Sequence, residues 1–175
     1  MKSYTTQQSA LAHLFFADTR IAWLWLVVRV WLGWQWLEAG WEKFNNPAWV
    51  GSDAGTALTG FVQGALAKTG GAHPDVQGWY AAFLQSTVMP NVVVWSYAVT
   101  FGEMLVGAAL ILGFLTGVSM FFGVFMNLNF MMAGSVSVNP MWATLGVGVI
   151  LAWRVAGYWG LDRWALPRLR RLWRT

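Results

Sequence analysis

Val27-Val28-Arg29-Val30-Trp31-Leu32-Gly33-Trp34-Gln35-Trp36-Leu37-Glu38-Ala39-Gly40-Trp41-Glu42-Lys43 plants an arginine inside an apolar run. From about Ile21 to Gly40 this run has the length a helix needs, at 1.5 Å per residue, to cross the roughly 30 Å hydrocarbon core of a bilayer. A lone cation there costs at least about 2.5 to 3.5 kcal/mol, so Arg29 is expected to face protein and to be paired. Arg29, Gly33, Trp36, Gly40 and Lys43 recur at steps of four, three, four and three, which puts them on one helical stripe. Such a stripe serves either as a packing face, its glycines letting a neighbouring helix close in, or as the wall of a ligand site.

Composition places the whole chain in the same class. Of 175 residues, 57% are hydrophobic and only 10% charged, with 14 tryptophans and 11 phenylalanines. These values lie outside ordinary soluble composition and predict a single-domain, all-α integral membrane protein. The chain contains no cysteine, which excludes disulfides, thiolate nucleophiles and cysteine-ligated iron–sulfur or zinc sites. His13 and His73 both fall outside the apolar runs, so no haem or metal is expected to be held by this chain alone. Much of the net charge of +4 sits in a basic tail, which in this class reports orientation and anionic lipid rather than nucleic acid.

Outward from the first run, residues 1 to 20 lack a long apolar core and read as a segment on the inner surface, with Asp18 or Thr19 capping the span. The stretch 41–90 is too long for a simple connection. It carries two amphipathic pieces, one with Leu58, Phe61, Val62 and Ala65, the other with Trp79, Tyr80, Phe83 and Leu84. Further spans are predicted at about 92–113 after Met89-Pro90-Asn91, at 117–134, and at 141–159 after Asn139-Pro140. The expectation is a four-transmembrane-helix bundle with a long extracytoplasmic loop carrying short amphipathic helices. Arg20, Lys2 and the group Arg163, Arg168, Arg170, Arg171 and Arg174 flank the ends that should lie in the cytoplasm, which places both termini there. Arg154 is expected to snorkel to the headgroups.

Counting depth from each inner end at 1.5 Å per residue puts Arg29 about 12 Å, Glu103 about 15 Å and Asn127 about 15 Å deep. At equal depth, Arg29 and Glu103 are expected to pair, with Asn127 adding an amide. Three roles are open to them: a pair that fixes helix register, the polar end of a pocket lined by Trp34, Trp36, Phe101, Phe125 and Met131, or a proton relay through Glu103.

The pattern Arg29-x-x-x-Gly33-Trp34-x-Trp36-Leu37-x-Ala39-Gly40-Trp41-x-Lys43, with Gly102-Glu103-x-x-x-Gly107, Gly113, Asn127, Asn129-Phe130-Met131, Gly134 and Asn139-Pro140, resembles the DoxX family of small four-span membrane proteins. Trp79-Tyr80-x-x-Phe83-Leu84 and the closing Gly160-Leu161-Asp162-Arg163-Trp164-x-Leu166-Pro167 make it more similar to DoxD, the membrane subunit of thiosulfate:quinone oxidoreductase. The resemblance implies electron transfer from thiosulfate at the outer face to membrane quinone, forming tetrathionate. Carried onto this sequence, it makes Arg29 and Glu103 the core polar pair and sets Lys43 at the anion's entrance. Quinone would lie with its head toward that pair and its body against Trp34 and Trp36, near Asn127 and Met131. A DoxA-like or other redox subunit is the implied partner. Two other classes remain open: an accessory subunit of a larger respiratory or photosynthetic complex, and a lipid or small-molecule carrier, as a homo-oligomer with bound lipid.

Overall fold

The computed structural model describes residues 9–172, with side chains described as far as Arg168. Lys2, Arg174 and the side chains of Arg170 and Arg171, which entered the orientation argument, lie outside the described residues. Helices α1 (Ala10–Ala17), α2 (Ala22–Phe44), α3 (Thr56–Leu66), α4 (Gly78–Phe83), α5 (Val92–Leu112), α6 (Thr116–Met132), α7 (Asn139–Leu151), α8 (Trp153–Ala156) and α9 (Asp162–Leu172) follow in order, and no strand occurs among the described residues.

Asp18 caps the entry to α2, accepting a hydrogen bond from Arg20 N at 2.9 Å. The Arg20 guanidinium hydrogen-bonded to the Asp18 side chain holds that carboxyl down to about 2. At this point the chain bends by 55° between α1 and the helix that runs on to Phe44. Trp25 Nε1 ties the bend by donating to Phe15 O at 2.7 Å.

Helix α2 packs antiparallel on α5, α5 on α6, α6 on α7, and α7 back on α2. Glycines set the closest of these approaches. A Cβ on Gly33 would stand 3.0 Å from Gly107 O, and one on Gly40 would stand 2.7 Å from Met104 Cγ. A Cβ on Gly107 would run into the backbone of Leu37. Bare backbone on both sides is what permits this contact.

The helix expected to begin at Met89-Pro90-Asn91 starts earlier. It is continuous from Gly78 to Leu112, 35 residues, and is long and apolar enough to cross a membrane. A π turn at Leu84–Val88 and a 3-10 turn at Met89–Asn91 join α4 to α5. Pro90 is tolerated where the regular hydrogen-bond ladder is already interrupted, because its missing N–H costs little there. The bent pair Ala10–Ala17 plus Thr19–Phe44 passes the same test of length and apolarity taken together. Helices α6 and α7 are shorter, at 17 and 13 residues. The run expected over 141–159 breaks at Ala152, whose backbone (φ −90°, ψ 14°) leaves the helix before the short α8.

Two cores divide the molecule lengthwise. At the end holding α1, α8 and α9, Trp25, Leu32, Trp36, Leu110, Met120 and Val149 interlock. At the opposite end, the segment 41–90 folds back so that Leu58, Val62 and Ala65 of α3 meet Tyr80, Leu84 and Val88. These are largely the apolar positions that helical spacing picked out. Ser96 Oγ donates to Trp49 O at 2.7 Å and Lys68 Nζ to Gly134 O at 2.7 Å, pinning the segment to α5 and to the α6–α7 turn. The outward faces of α2, α5 and α6 are apolar as well, with Val27, Trp31, Leu105, Val118, Phe121 and Phe122 exposed.

Candidate functional site

Arg29 and Glu103 do not meet. Glu103, its side chain 2% exposed, is paired instead with Lys43, whose Nζ lies 2.8 Å from Oε2. Arg29, 1% exposed, reaches the other way. Its Nη2 donates to Trp159 O at 3.3 Å, and its guanidinium occupies the space where a Cβ on Gly113 or Gly160 would stand.

Two features account for the exchange of partners. Because Gly107 lies against Gly33 and Leu37, and Gly40 against Thr100 and Met104, Glu103 is level with the Ala39–Gly40 region and Arg29 with Gly113. The two side chains therefore start about 15 Å apart along the axis at 1.5 Å per residue. Helical side chains also lean toward their own N-terminus, and the helices are antiparallel, so Arg29 leans toward the α9 end and Glu103 toward the loop end. Lys43, in the last turn of α2, is then the cation in reach.

Lys43 and Glu103 form part of the wall of a cavity of about 320 Å³ between α2, α3 and the α6–α7 turn, completed by Trp36, Trp49, Phe61, Phe130, Trp142 and the segment Ser135 to Asn139. Lys43 Nζ also sits over the Trp49 ring, 5.3 Å from its centroid, a cation–π contact that steadies a half-buried ammonium. Trp36 and Trp142 meet edge to face at 5.7 Å. Asn139 Nδ2 donates to Ser135 O at 2.6 Å and so shapes the turn. Trp36 Nε1 is buried against Gly123 without a hydrogen-bond partner, while Glu103 Oε2 has Lys43 Nζ as its partner. A buried N–H left without a partner is costly. The cavity thus offers a charged pair, its lysine partly exposed, against aromatic surface.

The remaining candidates separate from this group. Asn127 is buried on the α6 stripe with Met120 and Gly123, but its amide hydrogen-bonds to neither Arg29 nor Glu103, and both of its polar atoms lack partners. Trp34 is 57% exposed and points away from the cavity, because it lies off the Gly33–Trp36–Gly40 stripe. Met131 is half-buried and outside the lining, and Phe101 is exposed, near Tyr97 and Phe44. Arg154 is exposed and lies over the Trp153 ring. Among the described residues, no three His, Asp or Glu side chains converge as a metal site would require.

Sequence reasoning missed Trp49, Phe130 and Trp142 as walls and assigned Asp162 no role. Asp162 caps α6, accepting from Leu115 N at 2.6 Å and Thr116 N at 2.9 Å, and its charge acts on Arg29. A hint was present in the acidic residue within the motif Gly160-Leu161-Asp162-Arg163.

A family model described as TQO small subunit DoxD matches residues 24–150. No curated protein and no solved structure matches the chain. The matched region contains Arg29, Lys43, Glu103 and all of the cavity lining, and the chain belongs to the DoxD family.

Proposed function

We propose that this DoxD-family chain is the multi-pass subunit of a thiosulfate:quinone oxidoreductase in the cytoplasmic membrane, and that the cavity beside Lys43 and Glu103 is where quinone is reduced. The observation that carries the reading is the Lys43–Glu103 pair, its carboxylate buried, on the wall of an aromatic cavity. Helices α2, α5, α6 and the α7–α8 pair are the four spans of this reading. Their outward apolar faces suit lipid, since a soluble protein rarely exposes so much contiguous apolar surface. Arg20, Arg163 and Arg168 gather at the α1–α9 end, which is assigned to the cytoplasm, and the segment 41–90 then faces outward.

Oxidation of two thiosulfate ions to tetrathionate releases two electrons and no proton, while reduction of a quinone to quinol takes two electrons and two protons. Quinone is the two-electron acceptor, and the chain must place it and manage protons. The rings of Trp36, Trp49, Phe61 and Trp142 would hold a flat head. Glu103, once protonated from water, would pass one proton to the reduced head, the second proton would come from water, and Lys43 would stabilise the carboxylate left behind. Since the chain has no cysteine and no convergent metal ligands are present among the described residues, the route of electrons from thiosulfate is assigned to a second, redox-active subunit.

The test is thiosulfate-dependent quinone reduction by the complex purified from its native membrane. Glu103→Gln is expected to lower kcat by about 10²-fold or more, the usual contribution of a positioned proton donor, with unfolding temperature kept within a few degrees. Wild-type turnover in a folded Glu103→Gln complex would make the pair architectural and the chain an accessory subunit.

A further inference from the structure

A second cavity, of about 140 Å³, lies beneath α3 and α4 and is lined by Val62, Tyr80, Leu84, Trp95, Val99 and Phe125, among others. It shares Leu58, Phe61 and Phe130 with the cavity beside Lys43 and Glu103. The two are therefore neighbours across one aromatic partition, Phe61 and Phe130, which meet edge to face at 6.2 Å.

Their walls differ in chemistry. In the second cavity the polar groups are already satisfied: Tyr80 Oη donates toward Asn129 O at 3.0 Å, with Asn129 Oδ1 at 3.1 Å, and Asn129 Nδ2 donates to Phe125 O at 2.8 Å. It offers hydrocarbon contact alone. In the first, Lys43, its side chain 21% exposed, and the Glu103 carboxylate set a charged pair into the wall. The second cavity also reaches the seam between α5 and α6, lined there by Trp95, Val99, Phe125 and Met126, with Phe125 55% exposed.

We infer that the two cavities form one site for an amphiphile, whose polar head lies beside Lys43 and Glu103 and whose hydrocarbon tail passes the Phe61–Phe130 partition into the apolar slot and leaves by the α5–α6 seam. An apolar compartment adjoining one with a charged pair in its wall is matched by a molecule with the same division. The inference rests on the proposed function for the identity of the head, a quinone; the slot adds that the tail is recognised and enters sideways from the bilayer.

Val99, half-buried on the slot wall, is the position to fill. Dissociation constants for a tailless benzoquinone and for its decyl analogue are measured on the purified complex by tryptophan quenching, wild type against Val99→Phe, so that partition into detergent cancels. Val99→Met, a slimmer filler, is the second variant should Val99→Phe fold poorly. The expected result is at least a tenfold loss of affinity for the decyl analogue, with tailless affinity kept within twofold. Unchanged decyl binding, or an equal loss for both probes, overturns the slot while leaving quinone binding intact. Absence of binding of either probe to wild type overturns the slot together with the functional reading. Loss of a copurifying phospholipid from Val99→Phe, with decyl affinity unchanged, assigns the slot to a lipid acyl chain and likewise overturns the inference.

Discussion

Lys43 Nζ and Glu103 Oε2 stand 2.8 Å apart, with the lysine side chain 21% exposed and the glutamate 2%. The pair therefore joins a nearly dry carboxylate to a cation that keeps a path to the cavity. Removal of the lysine strands the carboxylate in a place that cannot solvate it, whereas removal of the carboxylate leaves a partly exposed ammonium, and removal of both strands neither.

Lys43→Met is accordingly expected to destabilise the fold by about 3 to 5 kcal/mol, the usual cost of leaving a buried partner uncompensated. The double substitution Lys43→Met with Glu103→Gln should recover most of that loss. Thermal unfolding of the four proteins in one detergent checks it; equal midpoints for the wild type and Lys43→Met would mean the carboxylate is already neutral or hydrated.

Glycines in this chain are expected to divide by what surrounds them. A Cβ at Gly107 meets Leu37 backbone, which cannot yield, while Gly64 in α3 has nothing within 4 Å of the same position. Gly107→Ala should separate α2 from α5 and depress the unfolding midpoint by many degrees. Gly64→Ala should leave it unchanged or raise it, since alanine favours an exposed helix by about 0.8 to 1 kcal/mol over glycine. Circular-dichroism melts of the two variants decide between steric contact and a merely flexible helix.

The period of 3.6 carried much of this in the sequence: Arg29, Gly33, Trp36 and Gly40 are all buried on one face of α2, and Leu58, Val62 and Ala65 face inward on α3. The partner of Arg29 was not legible, because the depth count assumed that neighbouring spans end at one level. Helix α2 extends about seven residues past the end of α5, roughly 10 Å, and that stagger is set by Gly107 seating on Gly33 and Leu37. It is a tertiary quantity. Trp49, Phe130 and Trp142 escaped for a similar reason, since they converge only after the segment 41–90 folds over the helix ends.

Asp162 should act as a clasp between the chain's end and α6. Its carboxylate takes the Leu115 and Thr116 amides where Leu115, at φ +47°, turns the chain into α6. Asp162→Ala is expected to cost about 0.5 to 2 kcal/mol as a lost cap, with Asp162→Asn retaining part of it. Hydrogen exchange at the first turn of α6 is the specific readout; acceleration confined to other segments would contradict the clasp.

In a chain without native cysteine, single cysteines report topology directly. Ser52→Cys, exposed in the segment before α3, and Arg168→Cys, exposed on α9, should label from opposite sides of sealed vesicles. Ser52→Cys should react in right-side-out vesicles and Arg168→Cys only after the membrane is opened. Labelling of both from one side would require an even number of crossings between them and would end the four-span reading.

Arg29 and Glu103, which depth along the helices would pair, contrast most sharply. Arg29 touches the backbone at Gly113, Trp159 and Gly160 and lines neither cavity, whereas Glu103 lies on the wall of one. Arg29→Met keeps much of the bulk but removes the donor to Trp159 O and the charge opposite Asp162, so it should loosen the α5–α6 turn and the chain around Gly160 while leaving the distant cavity intact. The expected outcome is a lower unfolding midpoint, faster proteolysis beyond Ala156, and quinone affinity and kcat within about twofold of wild type. Glu103→Gln should do the reverse. Both variants are to be compared below the lower of the two melting points, with thiosulfate turnover and quinone binding measured on the same preparations. Loss of quinone binding in an Arg29→Met protein that remains folded would place the ligand at the Arg29 end and remove Lys43 and Glu103 from the reaction.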